Sequence, residues 1–149
     1  MAAERDLCFT PAVELLKLYR ARRASPLEVM QAVLARIDAV NPAVNAIVTL
    51  AREDALRHAR LATAAFRRGA ALPPLFGVPV AIKDVTPTRG IRTTHGSKLF
   101  ENHERRNADR EWAGVNQQVN NRSLPQLPRA LTSIVCGAQV AASSQSIER

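Results

Sequence analysis

The chain has 149 residues, 46% of them hydrophobic, enough for one ordinary domain with its own core and nothing that demands a second. Its formal charge of +8 comes from 21 basic against 13 acidic residues, and the excess is spread, 15 against 10 up to Glu104 and 6 against 3 beyond it. That dispersal, with only 4% aromatic residues, argues against a nucleic-acid interface, which gathers basic residues on one face and sets aromatic platforms among them.

The N-terminus MAAERDLCFT carries Glu4, Arg5 and Asp6 where a signal peptide needs an apolar stretch, and no run approaches the length that crosses a bilayer. Cys8 and Cys136 are isolated, with no CxxC, so reduced thiols and a cytoplasmic setting are expected. Neither a cofactor nor a metal is called for.

Thr10 and Pro11 precede Val13, Leu15, Leu16, Leu18 and Tyr19, which predicts a first amphipathic helix to about Arg22. A second start signal follows at Ser25-Pro26-Leu27-Glu28. There the Ser25 hydroxyl can cap a first-turn amide while Glu28 reaches back to the amide of Ser25. Val29, Ala32, Val33, Ile37 and Val40 continue the period, and Asn41-Pro42 is expected to end it.

The short β-branched run Ala46–Leu50 predicts a strand. From Glu53 to Arg68 the residues Ala55, Leu56, Ala59, Ala62, Ala65 and Phe66 recur at helical spacing, with Gly69 as the expected left-handed stop. His58 in this helix has no second ligand three or four residues away, so solvent exposure is expected rather than metal ligation. Pro73-Pro74 leads to a second, well-buried strand, Val78–Lys83, and Thr93–Ser97 reads as a glycine-bearing turn.

Beyond Glu104 no period of either 3.6 or 2 is sustained. Leu131–Ala142 is compatible with a short helix or a strand. The expected division is therefore residues 1–104 as the ordered part and 105–149 as a divergent, loosely structured tail.

Only Lys17, Lys83 and Lys98 are lysines, and Lys83 closes the apolar run Val78-Pro79-Val80-Ala81-Ile82. At this point Pro74-Leu75-Phe76-Gly77-Val78-Pro79-Val80-Ala81-Ile82-Lys83-Asp84, followed by Thr93-Thr94-His95-Gly96-Ser97 and preceded by the capped helix and Asn45–Val48, resembles the N-terminal part of the amidase signature family. The resemblance covers about Phe9 to Asn102. It implies an α/β fold, a mixed sheet wrapped by helices, of which this stretch would supply three helices, about two short strands and an irregular tail.

The activity that the resemblance implies is hydrolysis of carbon–nitrogen amide bonds by a serine nucleophile, a second serine preceded by a cis peptide, and a lysine; Lys83 matches that lysine. A lysine with its ordinary pKa of about 10.4 is protonated at neutral pH and cannot act as a base. Neutralising one requires lowering that value by about 3 to 4 units, which burial can supply. The resemblance gives Asp84 the task of positioning the neighbouring loop through backbone amides, gives His95 no chemical duty, and leaves Ser97 as a loop cap.

The family's Gly-Gly-Ser-Ser-Gly-Gly-Ser type loop and its Gly-Lys-Thr-Asn type segment have no counterpart here. The serines of Ala142-Ser143-Ser144-Gln145-Ser146 lack the glycines needed to turn successive amides onto an oxyanion. We therefore expect an amidase-type chain truncated before both catalytic serines, inactive by itself and only partly folded, joined near Glu104 to an unrelated continuation through a change of frame or splice. Its partner would be a small-molecule amide once the missing portion completes the site, with homo-oligomerisation open and neither nucleic acid nor membrane expected. The alternatives are a divergent family member, a non-catalytic fragment that associates with a full-length relative, and a protein like the A-type subunit of an amidotransferase.

Overall fold

In a computed structural model, residues 6–69, 71–86, 91–103 and 134–140 are described. Three helices, α1 (Ala12–Arg20), α2 (Pro26–Val44) and α3 (Arg52–Arg67), and three strands, β1 (Ile47–Thr49), β2 (Pro79–Lys83) and β3 (Ile134–Val140), follow in the chain order α1-α2-β1-α3-β2-β3. Short 3-10 turns at Leu7–Phe9 and Lys98–Phe100 flank them.

The start of α2 follows from its first four residues. Ser25 Oγ accepts from the Glu28 amide at 3.2 Å, and the Glu28 carboxylate accepts from the Ser25 amide at 2.7 Å, so the reciprocal box expected from the sequence forms. Pro26 has no amide hydrogen to satisfy. The remaining first-turn donor, the Leu27 amide, is taken by Thr63 Oγ1 of α3 at 3.1 Å, and that hydroxyl donates in turn to the Ala59 carbonyl at 2.9 Å. One threonine thus closes the last unsatisfied donor of one helix from the middle of another.

The expected stop at Asn41-Pro42 is corrected. α2 runs through Pro42 to Val44 and ends at Asn45, whose φ of 46° is left-handed and whose amide reaches the Asn41 carbonyl at 2.7 Å. Pro42 falls in the final turn, where one missing amide costs a single intrahelical bond and leaves the helix behind it undisturbed. Asn41 instead acts as a clamp: its side chain accepts from the Ile47 amide at 2.8 Å and donates to the Ile47 carbonyl at 3.0 Å, fixing the entry to β1.

α3 presents Ala55, Ala59, Ala62 and Ala65 to Met30 and Leu34 of α2 and to Phe76, and all seven residues are buried. The alanine stripe lets the two helix backbones approach closely. A second cluster joins Leu15 and Tyr19 of α1 to Val29 of α2 and to Val78 at the mouth of β2. An aromatic ladder bridges the clusters, with ring centroids 5.3 Å apart for Tyr19 and Phe66 and 5.9 Å for Phe66 and Phe76. Offset, tilted pairs of this kind add about 0.5–1.5 kcal/mol each beyond area burial.

Gly77 sits at a close approach of the chain. Its φ is +80°, and a Cβ there would lie 2.9 Å from Pro26 Cγ and 3.3 Å from Phe66 Cε2. Both the left-handed backbone and the contact demand glycine. It seats the turn before β2 against the first residue of α2.

The three strands form one sheet in the order β1-β3-β2, with β3 antiparallel to β1 and parallel to β2. Irregular register between Val80 and Ile82 bends the β2–β3 pair. β2 is less covered than its apolar composition predicts: Ile82 is buried, Pro79 and Val80 are half-buried, and Ala81 is exposed. About two strands and an irregular tail were expected. The structure adds β3 from within that tail and resolves Leu131–Ala142 in favour of a strand over Ile134–Val140, while the rest of 104–149 lies outside the described residues.

Candidate functional site

β2 ends at Lys83, and the chain turns at once, the Thr86 amide donating to the Lys83 carbonyl at 2.9 Å. Side chains alternate about the strand end. Ile82 and Asp84 are buried, and Lys83 between them is exposed. Lys83 stands where the sequence places it, at the C-terminal end of an apolar strand, and it is exposed there. Among the described residues it makes no ion pair or side-chain hydrogen bond.

Asp84 is the organiser of this end of the sheet. It is 1% exposed, and its carboxylate accepts from the Thr94 amide at 2.7 Å, the Thr94 hydroxyl, and the Gly96 amide at 3.4 Å. The Asp84 carbonyl also accepts from the His95 amide at 3.1 Å. Four groups of one turn are therefore drawn onto a single residue beside Lys83. A buried carboxylate is tolerated because amide and hydroxyl donors replace its lost hydration.

The turn itself requires left-handed backbone at His95 (φ 52°) and Gly96 (φ 68°). His95 is exposed, with its ring edge-on to Phe100 at 5.4 Å. Ser97 Oγ accepts from the Leu99 amide at 3.3 Å and caps the following 3-10 turn. The Thr94 hydroxyl is committed to Asp84. The hydroxyls of Thr94 and Ser97 are thus both engaged within the turn.

Arg92 fastens this turn to the far edge of the sheet. Its guanidinium donates to the Val48 carbonyl at 2.6 Å, to Thr49 Oγ1 at 3.2 Å and to the Glu101 carbonyl at 3.4 Å. Sequence reasoning missed this residue because its β1 partners lie 44 and 43 positions away. The Thr93 amide closes the base of the loop on the His103 carbonyl at 2.9 Å.

His58 departs from the expectation of solvent exposure. It is half-buried and its Nδ1 has no hydrogen-bond partner. Burial, helped by the neighbouring Arg57 cation and opposed by Asp54, holds its pKa below the usual histidine value. No cluster of metal-ligating side chains occurs among the described residues, and no described helix is long and apolar enough to cross a membrane. Cys8 is a free thiol, pushed up in pKa by burial and by the adjacent Asp6 carboxylate.

Comparison with known proteins places this geometry. The family model described as Amidase matches residues 28–111, more than half of the chain and seven residues past Glu104. The chain is 44% identical over 98 residues to the A-type subunit of the glutamyl-tRNA(Gln) amidotransferase of Carboxydothermus hydrogenoformans, covering 66% of this chain and 20% of that protein. It is 40% identical over 95 residues to an acylamidase of Rhodococcus erythropolis, covering 64% and 20% respectively. The chain thus spans about a fifth of the length of the curated relatives it matches. Among solved structures, a bacterial aryl acylamidase of the amidase signature enzymes superposes with a TM-score of 0.71 over 91% of this chain and 26% of that one, at 21% identity. A peptide amidase from Stenotrophomonas maltophilia gives 0.67 over 93% and 25%, at 23% identity. At these identities the likeness is one of fold.

Proposed function

Since the chain belongs to the amidase signature family, we propose that it carries the lysine end of an amide-hydrolysing site, with Lys83 as the proton acceptor, and that it is inert without a serine-bearing portion. The observation that carries this reading is the junction of Lys83 and Asp84. The lysine closes β2 while the buried carboxylate beside it pins the Thr94–Gly96 turn, so the backbone that carries the amine is held at a fixed point. Family chemistry then asks that this amine, once buried by further structure, take a proton relayed from a serine that attacks the amide carbonyl. The developing oxyanion would need backbone amides of a glycine-serine loop that this sequence does not contain.

The exposure of Lys83 agrees with the proposed inertness, because a catalytic amine requires burial. We assign residues 1–104 to the amidase unit and 105–149 to a divergent continuation. A cytoplasmic setting with reduced Cys8 accompanies the reading.

The test uses two proteins. The 149-residue chain alone is expected to show neither labelling by a fluorophosphonate serine probe nor turnover of an aryl amide. Turnover abolished by Lys83→Ala would overturn the inert reading. A chimera in which residues 1–103 replace the matching part of the Rhodococcus acylamidase is expected to hydrolyse the amide, and Lys83→Ala in that chimera is expected to lower kcat by about 10²–10⁴-fold, the usual worth of a positioned base. A folded chimera indifferent to the substitution would remove Lys83 from the mechanism.

A second reading, a role like that of the A-type amidotransferase subunits, rests on the likeness to those proteins. It differs in the fate of the released nitrogen, which would pass to a glutamyl-tRNA. Glutamine as the favoured amide donor of the chimera would select it.

A further inference from the structure

We propose that the cleft where α1 and α3 end is a binding site for a small amphipathic anion, a carboxylate or phosphate monoester carrying an apolar group. A cavity of about 410 Å³ opens there, lined by Leu16, Arg20, Phe66, Gly69, Leu72 and Pro73 among others. That volume falls in the range of small-molecule sites, about 300–1,000 Å³, which are apolar with a few fixed polar groups. Here the side-chain lining is apolar except for the Arg20 guanidinium.

The charge around it is one-sided. Arg20 ends α1 and Arg22 and Arg23 follow it, while Arg67 and Arg68 close α3; all five are exposed, and none forms an ion pair among the described residues. The two helix ends are tied together by the Arg22 guanidinium, which donates to the Arg67 carbonyl at 3.3 Å. Cations at helix C-termini are ordinarily explained by the macrodipole. That effect supplies only about half a negative charge per helix, so two helices offset roughly one of the five guanidinium charges. The nearby acids are engaged elsewhere, Glu14 with Lys17 and Glu28 in the capping box.

The apolar floor selects the kind of anion. A nucleic acid would satisfy the guanidinium groups without entering the cavity, and it would find no aromatic platform, since Phe66 is already held between Tyr19 and Phe76. An aryl or short acyl group fills the concavity between Leu16, Phe66 and Leu72, and its carboxylate meets the Arg20 fork, the geometry that guanidinium groups recognise in bidentate fashion. The site is separate from Lys83. Val78 shares a cluster with Tyr19, and from Pro79 the strand carries the chain about 13 Å further to Lys83 at its usual rise.

Calorimetric titration of the full 149-residue chain with phenylbutyrate, and separately with phenyl phosphate, tests the proposal. Saturable binding is expected for at least one of the two, the stronger identifying the headgroup. Phenylbutanamide, which lacks the charge, and inorganic phosphate, which lacks the apolar group, are each expected to bind at least about tenfold more weakly, and Arg20→Gln is expected to weaken the anion by about tenfold, the usual worth of a charge-assisted pair. Ala71→Trp, a change at an exposed position on the cavity wall, is expected to abolish binding while leaving every arginine in place. Arg57→Gln, on another face of α3, serves as the control with unchanged affinity. No saturable binding, equal binding of the neutral amide, or indifference to both Arg20→Gln and Ala71→Trp would overturn the site. Tighter binding of a single-stranded oligonucleotide that survives Ala71→Trp would overturn it in favour of a polyanion surface.

Discussion

Tyr19 offers a sharp test of the packing, because it is the chain's one tyrosine and its ionisation can be followed alone by the ultraviolet absorbance of tyrosinate. The ring is 2% exposed and lies against Phe66, and the hydroxyl has no hydrogen-bond partner among the described residues. Burial pushes its pKa above the usual tyrosine value. A group whose pKa is raised on folding contributes stability that is whole below the unfolded pKa, about 10, and is lost as pH climbs from there toward the folded value. In that window the unfolded chain gives up a proton that the folded chain retains, so unfolding free energy should fall by about 1.4 kcal/mol per pH unit. Urea denaturation at about pH 9, 10 and 11 measures the slope, and comparison with Tyr19→Phe isolates it from the lysines and cysteines that titrate nearby. At neutral pH the same substitution should change stability by less than about 1 kcal/mol, since it removes a buried hydroxyl that makes no bond. A tyrosinate transition in the folded chain coincident with that of the urea-denatured chain, or a loss above about 2 kcal/mol for Tyr19→Phe at neutral pH, would refute the reasoning.

Gly77→Ala should destabilise the chain by about 2–4 kcal/mol, combining left-handed strain with the clash against Pro26, as read from chemical denaturation. Thr63→Val keeps the shape of the side chain but leaves the Leu27 amide unpaired, so a loss of about 1–3 kcal/mol is expected, against about 1 kcal/mol for Thr63→Ser, which keeps the hydroxyl and loses one buried methyl. His58 has its pKa depressed by burial, so its contribution is whole above about 6.5 and is lost as pH falls below that value. The melting temperature should therefore drop on acidification through this window, and His58→Gln should flatten the profile.

What the sequence disclosed was local. The Ser25–Glu28 box, the glycine stop after α3 and the apolar run ending at Lys83 each depend on residues within one turn or one strand, and all three stand where the periodicity puts them. Pro42 misled because its effect depends on its distance from the helix end. In mid-helix it would break the element, but three residues from the cap it removes one bond. β3 was illegible because a strand of this kind is defined by its neighbours, 85 or more positions before it for β1 and about 55 for β2. The same distance hid Arg92, Thr63 and the grouping of arginines at the ends of α1 and α3. In the sequence these form two pairs of neighbours and one residue beside them, and only the meeting of two helix termini makes them one surface. For the candidate site, Lys83 was legible by position, and Asp84 by its place next to it. The burial that a catalytic amine requires is absent at that point, in keeping with a stretch that carries only part of its sheet.

The central place of β3 bears on how the chain is made. Among the described residues β1 and β2 share no edge, and their backbones pair with the strand that the ribosome delivers last of the three. Until Ile134–Val140 emerges, a nascent chain holds its helices beside two ribbons with no backbone ladder between them, so closure of the sheet is necessarily a late event in synthesis. Any translational stall upstream of that segment releases a product with both ribbons unzipped and open to foreign strands.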